Sequence, residues 1–129
     1  VFIMTGLHGK KNKIQNVLLC DDDRGLRQAL ADVLRLQGLI PFEAGKAAEA
    51  MGLARQFSMD FGFFDYQLPD MDGATAVRML RQESIIFPYV IMSGESALAK
   101  QFGSKAGAVG FLAKPLQVSQ IKVILHTYL

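Results

Sequence analysis

Cysteine, histidine and tryptophan are almost missing from this chain. Cys20, His8 and His126 are the only residues of those three kinds among 129. A single cysteine excludes an internal disulfide and any multi-cysteine metal centre, and it suits a reducing cytosol, so a cytoplasmic location is expected. Cys20 itself reads as a small buried hydrophobe, and the two histidines as isolated and inert. No apolar run reaches the roughly 18–20 residues that a membrane span needs. The opening "VFIM" is too short for the apolar part of a signal peptide, and its positive charges follow rather than precede it. A dense basic face is also lacking. Lys10, Lys11 and Lys13 stand in the first 15 residues with no acid beside them, and without them 11 basic residues face 12 acidic ones. The net charge of +2 therefore misleads, and direct nucleic-acid binding is not expected. Residues 1–15 read as an N-terminal arm or a vector-derived segment, and residues 16–129 as one domain.

What is present is a rhythm of short apolar runs and amphipathic stretches. "VLLC" at 17–20 reads as a strand, and Leu26, Leu30, Val33 and Leu34 then recur at helical spacing up to Gly38. "LIPFEA" at 39–44 is a second strand, and its Pro41 suggests an edge position. A helix over 46–56 turns Ala47, Met51 and Ala54 inward. Phe61, Phe63 and Phe64 mark the third strand. Asp72-Gly73 makes a turn before a helix with Ala76, Val77 and Leu80 inward. "YVIM" at 89–92 is the fourth strand, 96–105 a helix ending around Gly107, and "GFLA" at 110–113 the fifth strand. The last helix carries Val118, Ile121, Leu125 and Tyr128 on one stripe. Continuous apolar strands alternating with helices imply an α/β fold with a parallel sheet covered on both faces. In such sheets ligands sit beyond the carboxyl ends of the strands.

Four of the five strand ends carry chemistry. Asp21 and Asp22 end the first, Asp65 the third, Ser93-Gly94-Glu95 the fourth and Lys114-Pro115 the fifth; Ala44-Gly45 ends the second with nothing reactive. Carboxylates drawn together repel, and at about 4 Å each pair costs several kcal/mol even at an effective dielectric near 20. Such a cluster calls for a cation. All-oxygen donors with no nearby His or Cys favour Mg²⁺ or Mn²⁺ over zinc. A carboxylate, a divalent cation, a lysine and a hydroxyl are the parts needed to move a phosphoryl group onto an aspartate.

The motifs "VLLCDDD", "FFDYQLPDMDG", "VIMSGES" and "GFLAKP" stand in this order across residues 16–128. With them the chain resembles the receiver domain of two-component response regulators of the chemotaxis-regulator type. The resemblance implies a flavodoxin-like, doubly wound (βα)5 sandwich with a five-stranded parallel sheet in the order 2-1-3-4-5. It implies that Asp65 is the phospho-acceptor. Asp22 and Asp65 would bind Mg²⁺ directly, together with the backbone carbonyl of Gln67, and Asp21 would hold it through water. Ser93 matches the switch hydroxyl, Lys114 the lysine that pairs with the phosphoryl group, and Phe111 the switch aromatic. Pro115 follows Lys114 across a bond that is often cis in the family. The implied partners are a sensor histidine kinase or a histidine phosphotransfer protein, and an output domain or protein that reads a surface made by the 96–105 helix, the fifth strand and the last helix. A homodimer linked to phosphorylation stays open. The domain would be a signalling module, not an enzyme, and would catalyse only its own phosphorylation and dephosphorylation.

Each of these residues has a plainer reading. Asp21 and Asp22 could cap the first helix, Asp65 could be a turn residue, and Lys114 and Ser93 ordinary strand-end groups. Phe111 could be plain core. Asp23 is left to capping or solvent, and Asp70 and Asp72 to shaping the "PDMDG" turn. The chain departs from the family's pattern at Cys20, usually a β-branched residue, and at Gly94, more commonly alanine. Gln67 and Glu95 occupy positions that tune phosphoryl lifetime in the family. A degenerate receiver that only binds proteins is the main alternative. A Mg²⁺-dependent phosphohydrolase would want a second Asp where Gln67 stands, and a flavin carrier would want a glycine- and hydroxyl-rich loop where three aspartates stand.

Overall fold

The computed structural model describes residues 15–94 and 107–129. The expected helix at 96–105, Glu95 and all but the last residue of the expected arm lie outside the described residues. Five strands alternate with four described helices: β1 (Asn16–Cys20), α1 (Arg24–Leu36), β2 (Ile40–Ala44), α2 (Ala47–Gln56), β3 (Phe61–Asp65), α3 (Gly73–Gln82), β4 (Tyr89–Ser93), β5 (Gly110–Ala113) and α4 (Val118–Tyr128). Every strand pairing is parallel, and the order across the sheet is β2-β1-β3-β4-β5. This is the doubly wound sandwich expected. Pro41 does fall on an edge strand, since β2 has β1 as its single neighbour. There its missing N–H disturbs no inner ladder.

The period-two alternation of each strand divides the core into two layers. Leu18, Cys20, Phe64, Tyr89 and Ile91 face the layer that α2 and α3 cover. Val17, Leu19, Phe61, Phe63, Val90 and Met92 face the layer under α1 and α4. The three phenylalanines of β3 thus serve both layers. All are fully buried, which is worth about 1.5–3 kcal/mol each in transfer free energy. Gly62 shares a face with Phe64. A Cβ there would stand 2.8 Å from both the Phe64 and the Phe87 ring, whose centroids stack 6.3 Å apart. Glycine leaves the room that this ring pair fills.

Helix starts follow local chemistry. Asp23 caps α1 by accepting the Leu26 N–H at 3.1 Å, and Asp72 caps α3 by accepting the Thr75 N–H at 2.7 Å. Lys46 precedes α2 and makes no side-chain cap. Its place is taken from a distance: the Asp70 carboxylate accepts the Ala47 and Ala48 N–H groups at 2.8 and 2.9 Å. Asp70 therefore does more than shape its own turn.

The expected stripe on the last helix holds only in part. Ile121 and Leu125 are buried. Val118 is 49 % exposed and Tyr128 37 %. Val118 sits in the first turn of α4, at the rim of a shallow apolar groove against Leu26 and Leu30 of α1. Tyr128 lies at the far end, its ring 5.6 Å from that of Phe61 and its hydroxyl donating to the Val109 carbonyl at 3.4 Å. An end-of-helix residue overhangs the sheet, so helical spacing alone overstates its burial. Among the described residues no helix is long and apolar enough to cross a membrane.

Candidate functional site

The carboxyl ends of β1, β3, β4 and β5 meet at one edge of the sheet. Asp21 follows β1 directly. Its N–H donates to the Ala44 carbonyl at 3.1 Å, which ties the end of β1 to that of β2. Its Oδ1 accepts the Asp23 N–H at 2.9 Å, and its Oδ2 lies 2.8 Å from Lys114 Nζ. Asp65 is the last residue of β3. Its Oδ2 accepts from Lys114 Nζ at 2.9 Å and its Oδ1 from the Gln67 N–H at 3.3 Å. Asp21 is 1 % exposed and Asp65 7 %, while Asp22 stands in solvent. One carboxylate oxygen from each of these three lies within 4.8 Å of the others.

Lys114 arrives from β5, 49 positions from Asp65 in the chain. Its N–H donates to the Ser93 carbonyl at 3.0 Å, continuing the β4–β5 ladder past the strand ends. The peptide bond to Pro115 is cis. Ser93 is buried at the end of β4. Phe111 in β5 pairs with Ile91 of β4 and packs half-buried against the layer under α2 and α3, short of full burial in the core. The loop after β3 folds back tightly. Leu68 N–H donates to Met71 O, Gly73 N–H to Tyr66 O, and Gln67 forms a bridge with Asp72. Gly73 has to be glycine here. A Cβ would collide with the Asp65 carbonyl oxygen and stand 3.0 Å from Phe64 Cβ.

The electrostatics follow from burial and count. Loss of water raises the Asp65 pKa, and Asp21 raises it further; the Lys114 ammonium opposes both without overcoming them. Burial alone would lower the Lys114 pKa, but its bonds to Asp21 and Asp65 more than reverse that. Three carboxylates face one ammonium, so the site carries an excess of negative charge. Asp21 Oδ2 is buried and within ion-pair reach of Lys114, yet it makes no well-angled hydrogen bond. That leaves a buried carboxylate oxygen with spare accepting capacity. Donors that are all oxygen, one of them incompletely satisfied, fit a hard divalent cation such as Mg²⁺.

Sequence reasoning missed two residues beside this site. Arg27 donates from Nη1 to the Asp21 carbonyl at 2.8 Å and from Nε to Glu43 Oε1 at 3.1 Å. Asp70 docks the post-β3 loop on α2. Neither has a local signal, since each acts on a distant element. Asp21, Asp22, Asp65, Ser93 and Lys114, by contrast, were singled out from the sequence and are brought to one edge. Gln67 joins them through its amide, with its side chain exposed.

The model of the response regulator receiver domain matches residues 17–126. The chain belongs to the response regulator receiver family. As a receiver domain it has relatives among full-length regulators. It is 30 % identical over 115 residues to the KDP operon transcriptional regulatory protein KdpE of Escherichia coli, covering 88 % of this chain and 51 % of KdpE. It is 29 % identical over 111 residues to the cell cycle transcriptional regulator CtrA of Caulobacter vibrioides, covering 85 % of this chain and 48 % of CtrA. The chain spans about half the length of the curated relatives it matches. Among solved structures it superposes on the chemotaxis protein CheY4 of Vibrio cholerae with a TM-score of 0.84 at 28 % identity, covering 91 % of this chain and all of that one. A Francisella response regulator receiver domain gives a TM-score of 0.81 at 26 % identity, covering 88 % and 95 %. This receiver domain is thus a module of two-component signalling.

Proposed function

We propose that this receiver domain is a phospho-switch with Asp65 as its acceptor. The observation that carries the reading is the placement of Asp65: a nearly buried carboxylate at the end of the central strand, bonded to Lys114 and clustered with Asp21 and Asp22. The donor is phosphohistidine on a sensor histidine kinase or a histidine phosphotransfer protein. An Asp65 carboxylate oxygen attacks phosphorus, the P–N bond breaks, and the released imidazole nitrogen keeps the electron pair and takes a proton from solvent. Burial has already removed most water from that oxygen, which favours attack over solvation. Lys114, held by Asp21 and Asp65, transfers its ion pairing to the phosphoryl oxygens.

Asp22, Asp65 and the Gln67 carbonyl are the direct ligands we assign to Mg²⁺ or Mn²⁺, with Asp21 acting through water. The bound ion would neutralise charge on the phosphoryl oxygens. Ser93 then donates its hydroxyl to the phosphoryl group, and Phe111 moves from half-buried to buried. A local charge event thereby biases a two-state surface. The described part of that surface is β5 and α4; the rest falls on residues 96–105. An output domain or partner protein, or a second copy of the chain, reads the change. Residues 16–129 are the receiver unit in this reading, residues 1–15 an N-terminal arm or a vector-derived segment, and the setting is the cytoplasm.

The test is incubation with acetyl phosphate and Mg²⁺ followed by intact-mass measurement. The wild type gains the mass of one phosphoryl group, and Asp65→Asn does not. An equal gain in Asp65→Asn would move the acceptor elsewhere. No gain in the wild type, together with no binding of beryllofluoride, would leave the degenerate, protein-binding receiver as the better reading.

A further inference from the structure

Arg27 sits in the first turn of α1, where a cation gains nothing from the helix dipole. It is also next to a cluster whose chemistry invites a competing cation. Yet its side chain is only 16 % exposed and two of its three guanidinium nitrogens donate hydrogen bonds. Nε donates to Glu43 Oε1 on β2, and Nη1 donates to the backbone carbonyl of Asp21. Gly45 clears the space beside it; a Cβ there would stand 3.3 Å from Nη1.

Asp21 is consequently held at every backbone atom that can bond. Its N–H is on Ala44 O and its C=O on Arg27. Its Oδ1 takes the Asp23 N–H. The Asp21 carbonyl belongs to the peptide unit that leads into Asp22. Fixing that plane fixes the direction in which exposed Asp22 leaves the strand end. We propose that Arg27 is a positioning residue for the divalent-cation site, acting through the Asp21–Asp22 peptide; this rests on the metal-assisted reading above.

Two effects of removing Arg27 oppose each other. Loss of a positive charge near three carboxylates favours binding of another cation. Loss of the clamp frees the peptide and weakens binding. Glu43 sits 3.1 Å from Arg27 and cancels much of its field at the site, so the geometric effect wins. Outer-shell partners of metal ligands commonly act at this scale, about 10-fold or more in metal affinity. Lysine in place of arginine keeps the charge but cannot fork to two acceptors held in a plane. It therefore separates the two effects.

The experiment is direct Mn²⁺ binding, read as the free-ion electron paramagnetic resonance signal, for wild type, Arg27→Lys and Arg27→Ala. Each is measured well below its own melting temperature. Both variants are expected to bind Mn²⁺ about 10-fold more weakly than wild type. Equal or tighter binding by folded Arg27→Lys overturns the inference while leaving the metal reading intact. If Arg27→Ala does not fold, Arg27→Lys alone decides. A wild type that binds no Mn²⁺ overturns the metal reading itself, and this inference with it.

Discussion

Replacing Asp65 by asparagine should make the metal-free domain more stable at neutral pH. The carboxylate of Asp65 lies within 4.8 Å of Asp21, a repulsion of at least about 3.5 kcal/mol at an effective dielectric of 20. Its removal from water costs about 4 kcal/mol more, on the scale of a nearly buried ion after relaxation. Against these stands Lys114 at 2.9 Å, an attraction of about 6 kcal/mol on the same footing. Asp22 adds little because solvent screens it. The balance is about 1–2 kcal/mol against the ionised form, in the direction of the raised Asp65 pKa. The amide introduced by Asp65→Asn would keep an acceptor for Lys114 and shed that cost, raising the melting temperature by about 5 °C.

The pH dependence has a definite sign. A carboxyl group whose pKa is raised by folding binds its proton more tightly when folded, so stability falls as pH rises through the raised value. Below the ordinary aspartate value of 3.8 the cost is absent. The gap between wild type and Asp65→Asn should therefore open above that pH and be complete once the pH has passed the raised value. Thermal melts followed by far-UV circular dichroism in EDTA read it directly. Mg²⁺ at about 100 times its Kd should add about 2.7 kcal/mol to the wild type and less to the variant, narrowing or reversing the order. A variant that melts below wild type in EDTA at neutral pH, or a gap that persists unchanged in acid, would refute the electrostatic account.

Lys114→Met leaves Asp21 and Asp65 without their shared cation and should cost about 2 kcal/mol of metal-free stability at neutral pH, a buried-pair loss discounted for the 22 % exposure of Lys114; urea unfolding measures it, and the loss should shrink in acid as Asp65, whose pKa burial raises, takes up its proton. Gly73→Ala forces a methyl group onto the Asp65 carbonyl and should lower stability by about 1–3 kcal/mol while also slowing phosphorylation by acetyl phosphate. Asp70→Ala removes the acceptor for two N–H groups at the start of α2, so its urea midpoint should fall and Asp70→Asn should recover part of the loss. Folding lowers the Asp70 pKa, through its bonds to Ala48 and Ala47, so the stability it lends is present above the ordinary value and disappears as pH falls through the lowered one.

Strand ends were legible because their signals are local. An apolar run of four or five residues closed by Asp, Ser or Lys is visible without any contact map, and a parallel sheet places all such ends on one side. Three aspartates and a lysine at those ends then constrain the chemistry by charge alone. The Pro41 edge and the Asp23 cap were readable for the same reason, since each depends on a residue and its near neighbours; Asp72, read only as shaping its turn, caps α3 as well.

What needed the tertiary structure was every relation between distant segments. Lys114 meets Asp65 across 49 positions, and Asp70 caps a helix 22 and 23 positions earlier. Arg27 reaches back to a carbonyl six residues away only because α1 turns over the end of β1. Val118 matched the helical period yet lies exposed, because burial depends on where a helix overhangs its sheet. Spacing along a chain records which groups share a face or an end; which of them touch is decided by how separate elements pack, a property that no single segment carries.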